Sequence, residues 1–243
     1  MKIRVLGFSG SPRRMGNSRF LLEKALDAAE AVVPGKVKTE LYSMSGKGIS
    51  GCVSCGRCFE LKHCAQEDDF QEIRDKWLLA DAILYSAPVY QMGIPGQVKC
   101  FLDRLGCSMF ENRKHLKAIG VIAQGADLFS GQDLVMVSLI SHAVFMGCVP
   151  AAGRQYGSHL GAGGWTRLSG DKNSLRRLFE GGDADAEMAV KAAEDVSRSV
   201  VQLAMVLKAG GTACYDMLKA DGGFSSFLSR LDPVGAKSDV NAD

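Results

Sequence analysis

The chain carries no surplus of charge: 29 Lys and Arg stand against 27 Asp and Glu, a formal net charge of +2. Without a field of one sign, nucleic acid and anionic membrane surfaces are not expected as partners. Long apolar runs are also missing. Residues 134–140 are apolar but are broken by Ser138 and followed by Ser141 and His142, far short of the roughly 20 residues a membrane span needs. The chain opens directly on a strand-like run, Lys2 to Phe8, with no room for a charged leader and a cleavage site, so a cytoplasmic location is expected. Histidines number only 4, His63, His115, His142 and His159, and share no motif. No Ser–His–Asp set, no pair of catalytic acids and no His-rich metal pattern is present, and no catalytic residue is assigned. The loop over 9–18, between the first strand and the first helix, is neither the Gly-x-Gly-x-x-Gly fingerprint nor the phosphate loop that ends in Gly-Lys-Ser/Thr.

What is present is an ordinary globular composition, 47% hydrophobic over 243 residues, in which strand and helix patterns alternate. Residues 2–8 read as a strand, and Ser18 as the cap of a helix with Leu21, Leu22, Ala25 and Ala28 on one face. Pro34-Gly35 stops that helix, and 37–42 alternate as a second strand. Phe70, Ile73, Trp77 and Leu78 recur at helical spacing, and 81–86 read as a third strand ended by Pro88. Pro95 opens a helix carrying Val98, Phe101, Leu102 and Leu105. A fourth strand over 116–123, a helix over 133–146 and a fifth strand over 147–152 follow. Residues 157–182 lack periodicity and read as an extended loop, with Trp165 as part of a lid, a subunit contact or simply a packed loop aromatic. A helix over 184–209 ends at Gly210-Gly211.

Such alternation implies a doubly wound α/β fold, a five-stranded parallel sheet covered on both faces. The expected organisation is one domain over 1–210 with a cysteine-rich loop at 51–65. A helical C-terminal extension follows over 211–243, its polar tail mobile from Asp232 onward. Ligands of such sheets sit at the carboxyl ends of the strands, which singles out the loops 9–18, 87–94 and 124–131.

The first of these, Ser9-Gly10-Ser11-Pro12-Arg13-Arg14-Met15-Gly16-Asn17-Ser18, joins a strand to a helix N-terminus, where free N–H groups favour an anion. Short hydroxyls and an arginine make it a cradle for one phosphate group; a solvated loop with a serine cap is the plainer alternative. Gly10-Ser11-Pro12-Arg13 with Gly16-Asn17-Ser18, Ala87-Pro88-Val89-Tyr90, and the run from Gly96-Gln97-Val98 through Phe101-Leu102-Asp103-Arg104 resembles the NADPH-dependent FMN reductase group of flavodoxin-like proteins over about residues 1–150. The resemblance implies a flavodoxin-like fold binding FMN. It implies Ser9, Ser11, Arg13, Asn17 and Ser18 for the phosphate, and Pro88, Val89, Tyr90, Met92 and Gly93 near the isoalloxazine.

Eight cysteines occur. Cys100, Cys107, Cys148 and Cys214 are scattered through apolar surroundings and read as small buried hydrophobes. The other four form Cys52-x-x-Cys55-x-x-Cys58-x5-Cys64. Without an export signal these are not expected to be disulfides. Four thiolates at this spacing serve a cubane iron–sulfur cluster, a structural zinc or metal-free redox thiols; intervals of two residues are easier to satisfy with sulfurs spread over several irons than round one zinc ion. Arg57 and Lys62, inside the loop, either tune the cluster or form a solvated face that docks an acidic partner.

Placed between the second and third strands of this fold, the motif resembles the iron–sulfur flavoprotein family of anaerobic archaea and bacteria. That resemblance implies a [4Fe–4S] cluster on Cys52, Cys55, Cys58 and Cys64 exchanging electrons with FMN. It also implies a homo-oligomer, dimer or tetramer, with the cluster near a neighbouring subunit's flavin. Donors compatible with it are NAD(P)H and a ferredoxin-like protein. The alternative is an NAD(P)H-dependent FMN or quinone reductase whose cysteine loop is structural or binds zinc.

Overall fold

The computed structural model describes residues 1–110 and 114–231. In chain order the elements are β1 (Ile3–Ser9), α1 (Asn17–Val32), β2 (Val37–Ser43), α2 (Cys58–Leu61), α3 (Phe70–Leu79), β3 (Ala82–Pro88), α4 (Gly96–Leu105), β4 (Ala118–Gly125), α5 (Gln132–Phe145), β5 (Val149–Pro150), β6 (Ala162–Trp165), α6 (Ser174–Glu180), α7 (Ala184–Ala213), α8 (Tyr215–Lys219) and α9 (Ser225–Leu228). The sheet runs β2-β1-β3-β4-β5 and all its pairings are parallel. Parallel strands need crossovers, and those crossovers cover both faces, so β3 and β4 are buried along their whole length.

Alternation along the strands sorts the core into two layers. Leu6, Phe8, Ile83, Tyr85, Ile119 and Val121 face α3, α4 and α5. Ile3, Val5, Leu84 and Ile122 face α1 and α7. Chain order reverses between β1 and β3, and their carboxyl ends open a crevice there, the usual ligand position in open α/β sheets.

Several elements differ from the sequence expectations. The fifth column of the sheet is split: β5 pairs with Ala118 and Ile119, and β6 pairs with Ile122 to Gly125. Pro150 has no N–H to continue the ladder. The strand β6 therefore lies within 157–182, where a loop was expected. Its glycines hide it from hydrophobic patterning yet are required by packing, since a Cβ on Gly164 would stand 2.9 Å from the Leu21 side chain. The fourth strand starts at Ala118 because Leu116 is left-handed, with φ 44°. Ser18 is not the cap of α1; Gly16 holds that position and Ser18 lies in the first turn.

Gly210 and Gly211 do not stop α7, which continues to Ala213. Gly211 instead lies against Phe227 of α9, whose ring carbons would be 2.4 Å from a Cβ there. Arg230, just beyond α9, donates to the Ala80 carbonyl (3.1 Å) and to Asp81 (3.2 Å), so the described part of the C-terminal extension is tied to the amino end of β3. The tail expected to be mobile from Asp232 lies outside the described residues. Of the scattered cysteines, Cys107 and Cys148 are buried as expected, Cys100 is half-buried and Cys214, at the end of α7, is exposed.

Candidate functional site

A cavity of about 290 Å³ opens at the carboxyl ends of the strands. Its lining comes from four segments: Ser11, Arg13, Gly16, Asn17 and Ser18; Pro88, Val89 and Tyr90; Gln124, Gly125 and Ala126; and Thr166, Leu168, Ser169 and Gly170. All three loops singled out from the sequence contribute. The fourth segment, directly after β6, escaped sequence reasoning because β6 itself has no hydrophobic period.

The first loop delivers the start of α1 to this cavity. No side chain caps that helix, so its first N–H groups and the positive end of its dipole remain for an anion. Ser11 Oγ accepts from the Arg13 N–H at 3.2 Å and shapes the loop. At the last residue of β1, the Ser9 hydroxyl is buried and has no hydrogen-bond partner among the described residues, a donor that a ligand oxygen would satisfy. Asn17 lines the cavity, but its amide serves α6: Oδ1 accepts from Leu175 N (3.1 Å) and Nδ2 donates to Ser174 Oγ (3.2 Å). Asn17 therefore offers the cavity its backbone and holds α6 with its side chain.

The second loop is a tight turn. Tyr90 and Gly93 exchange two backbone hydrogen bonds of 2.9 Å, and Gln91 and Met92 between them are both left-handed, with φ 47° and 65°. Two positive-φ residues in sequence make the type I′ geometry normally given to Asn and Gly. The neighbouring chain holds this turn in place. Val89 N donates to Gln124 O (2.8 Å), and Gly131 of the third loop packs directly on Met92. Met92 faces not this cavity but an adjoining groove shared with Leu128 and Phe129, and Gly93 serves to close the turn. The third loop is pinned from its other side, where Ala126 O accepts from Leu168 N at 2.8 Å.

The cysteine loop forms a second recess, of about 230 Å³, lined by Cys52, Cys55, Cys58 and Cys64 together with Val53, Phe59, Arg104 and Cys107. Cys52 and Cys55 are exposed; Cys58 and Cys64 are half-buried. The bends come from Ser54, Gly56 and Lys62, at φ 52°, 71° and 59°. Acidic residues beyond the last cysteine tie the stem: Asp69 accepts from Gly48 N (2.8 Å) and Asp68 from Ser50 N (2.9 Å). Burial works against ionisation of Asp68, but Arg104 and the N–H groups of Ser50 and Phe70 outweigh it and hold the carboxyl below its ordinary range.

Arg57 and Lys62 are exposed. The cation at a cysteine sulfur is instead Arg104 of α4, which sequence reading did not single out for this role: its Nε donates to Cys64 Sγ at 3.3 Å. Among the described residues no three His, Cys, Asp or Glu side chains converge closely enough to hold a single metal ion. Four thiols spread round one recess, with an N–H donor to one sulfur, are the donor set that an iron–sulfur group takes. No histidine lines either cavity.

The two cavities share no lining residue. They are linked by α4, which starts after the second loop and brings Arg104 to the recess nearly a full helix length later, a span of about 15 Å for ten residues.

Residues 3–162 match the family described as NADPH-dependent FMN reductase. An iron–sulfur flavoprotein of Archaeoglobus fulgidus is 31% identical over 194 residues, covering 77% of this chain and 97% of that protein. One from Methanocaldococcus jannaschii is 31% identical over 173 residues, 70% of this chain and 85% of its own. Among solved structures, RosB with a bound intermediate superposes with a TM-score of 0.66 at 15% identity, covering 99% of this chain and 92% of RosB. The apo form of an NADH:FMN oxidoreductase gives 0.55 at 18% identity, covering 81% and 89%. These two likenesses show the shared fold.

Proposed function

Because the chain belongs to the NADPH-dependent FMN reductase family, and within it to the iron–sulfur flavoproteins, we propose that this flavin-dependent oxidoreductase couples FMN to a [4Fe–4S] cluster. The observation that carries the flavin assignment is the single cavity into which an uncapped helix N-terminus, two serines, an arginine and the Pro88–Tyr90 wall all open.

Here the α1 N–H groups, Arg13 and the hydroxyls of Ser9, Ser11 and Ser18 hold the phosphate, with Asn17 contributing backbone and position. Pro88, Val89 and Tyr90 orient the ring from one side, while Met92 and Gly93 set the turn that carries Tyr90. Leu168 and Tyr90 restrict water at the mouth. Cys52, Cys55, Cys58 and Cys64 ligate the cluster. When bound, flavin supplies two-electron and the cluster one-electron chemistry, so the pair serves as a converter between the two kinds of partner.

The exposed side chains around the two cavities support assembly. Val53 and Phe59 at the cysteine recess, and Tyr90, Met92 and Phe129 by the flavin cavity, are all exposed, an arrangement that suits association of copies as a dimer or tetramer. One copy's recess would then meet another's flavin cavity. Electrons enter from NAD(P)H at the flavin or from a ferredoxin-like protein at the exposed cysteine loop. All eight cysteines are free thiols, in keeping with a cytoplasmic location, and among the described residues no helix is long and apolar enough to cross a membrane.

Anaerobic purification followed by mass identification of the released flavin, with iron and acid-labile sulfide counted per chain, tests the whole reading. FMN with iron and sulfide near four each per chain, the stoichiometry of one [4Fe–4S] cluster, is the expected result. Preference for FAD overturns the flavin assignment; zinc without sulfide makes the cysteine loop structural. Turnover with NAD(P)H alone, against fast reduction by a ferredoxin, separates the two electron sources.

A further inference from the structure

The cysteine loop has little structure of its own, a four-residue helix between exposed segments. Its shape comes from a residue far away in the chain. Arg104 is 2% exposed, and each of its three guanidinium nitrogens bonds to this loop or its stem. Nε donates to Cys64 Sγ (3.3 Å), Nη1 to Ser50 O (3.2 Å) and Asp68 Oδ2 (2.5 Å), and Nη2 to Gln66 O (3.0 Å). The guanidinium carbon also lies 4.4 Å from the centroid of the Phe70 ring. Ser50 precedes the first cysteine, whereas Gln66 and Asp68 follow the last, so one planar group bridges both ends of the loop and touches a ligand sulfur between them.

We infer that Arg104 is the positioning residue of the cysteine site: it clamps the loop shut, aims Cys64, and raises the reduction potential of the cluster through its N–H···S bond and its charge. The inference rests on the cluster reading above. Its support is that α4 is anchored independently of the loop, by Val98, Phe101, Leu102 and Leu105 in the core, so the fork stands ready before any group binds. Only a planar, multi-donor cation serves four acceptors at once; an ammonium on a flexible stem does not. Hydrogen bonds to ligand sulfur and nearby positive charge favour the reduced state. Arg57 and Lys62, being exposed, are screened by water in a way that buried Arg104 is not.

The test compares anaerobic wild type with Arg104→Gln and Arg104→Lys. Bound FMN reports folding, iron and sulfide report assembly, the rate of iron loss to a chelator reports closure of the loop, and a spectroscopic titration reports the cluster potential. Both variants should keep FMN and lose iron about tenfold faster or more. The potential should fall in both, further in Arg104→Gln, with Arg104→Lys between it and wild type because charge is kept and the sulfur bond is lost. Arg104→Lys retains a cation beside Asp68, so it still decides the matter should Arg104→Gln fail to fold. Wild-type potential and iron retention in a folded variant overturn the inference. Wild-type protein without iron and sulfide overturns the cluster reading instead, before any variant is considered.

Discussion

Gly131, at φ 104°, lies so close to Met92 that a Cβ built on it would stand 2.8 Å from the Met92 carbonyl oxygen. The third loop is thereby wedged against the turn that carries Tyr90. Gly131→Ala should strain its own backbone and push this turn off the cavity wall. A loss of about 1–2 kcal/mol, roughly fivefold to thirtyfold in the dissociation constant for FMN, is expected from quenching titrations. Unchanged affinity would mean that the turn does not contribute to the ring site.

Arg13 lines the cavity at the loop where phosphate charge is expected. Arg13→Ala removes a charge-assisted bond of about 1.5–3 kcal/mol, so FMN binding should weaken about tenfold or more. Riboflavin has no phosphate and should bind the variant as it binds wild type. Equal losses for both ligands would place Arg13 elsewhere.

Cys58 lines the cysteine recess and not the flavin cavity. Cys58→Ser replaces a soft thiolate by a poor iron ligand. Iron and sulfide per chain should drop while bound FMN stays near the wild-type level. Loss of flavin together with iron would show that the two sites depend on each other structurally.

Acid should destabilise the fold from an unexpected place, the amino end of the sheet. Burial, then the charges of Lys117 and Arg230, hold the His115 imidazole down at about 3. The ring is buried, with Nδ1 2.9 Å from Ser226 Oγ. Between about pH 6.5 and 3 the unfolded chain therefore binds a proton that the folded one does not, and stability falls as pH is lowered through that window, by up to about 1.4 kcal/mol per unit. Urea midpoints should fall from pH 7 to pH 5. In His115→Phe this slope should flatten, and an identical slope would move the acid sensitivity to other groups.

Gly211 admits the Phe227 ring against α7. Gly211→Ala keeps helical geometry but overpacks that contact, at a cost of about 1–3 kcal/mol. The expected result is a lower thermal midpoint together with faster proteolysis after α7. A stabilised variant, as helix propensity alone would give, would show that the ring moves aside freely.

Local rules made much of this protein legible. Strand and helix alternation, the serine-rich first loop and the cysteine spacing depend on neighbours within a few residues, so the doubly wound sheet, its ligand-bearing end and four clustered thiols could all be read directly. Other features answer to contacts between distant segments. The strand β6 exists because its glycines let backbone lie against Leu21, and α7 passes through Gly210-Gly211 because Phe227 packs where a side chain would be. Asn17 looks like a phosphate donor until Leu175 and Ser174 engage its amide. Arg104 looks like one charge on an amphipathic helix; burial leaves its guanidinium no water, and only the acceptors of a loop folded back from some forty residues away satisfy it.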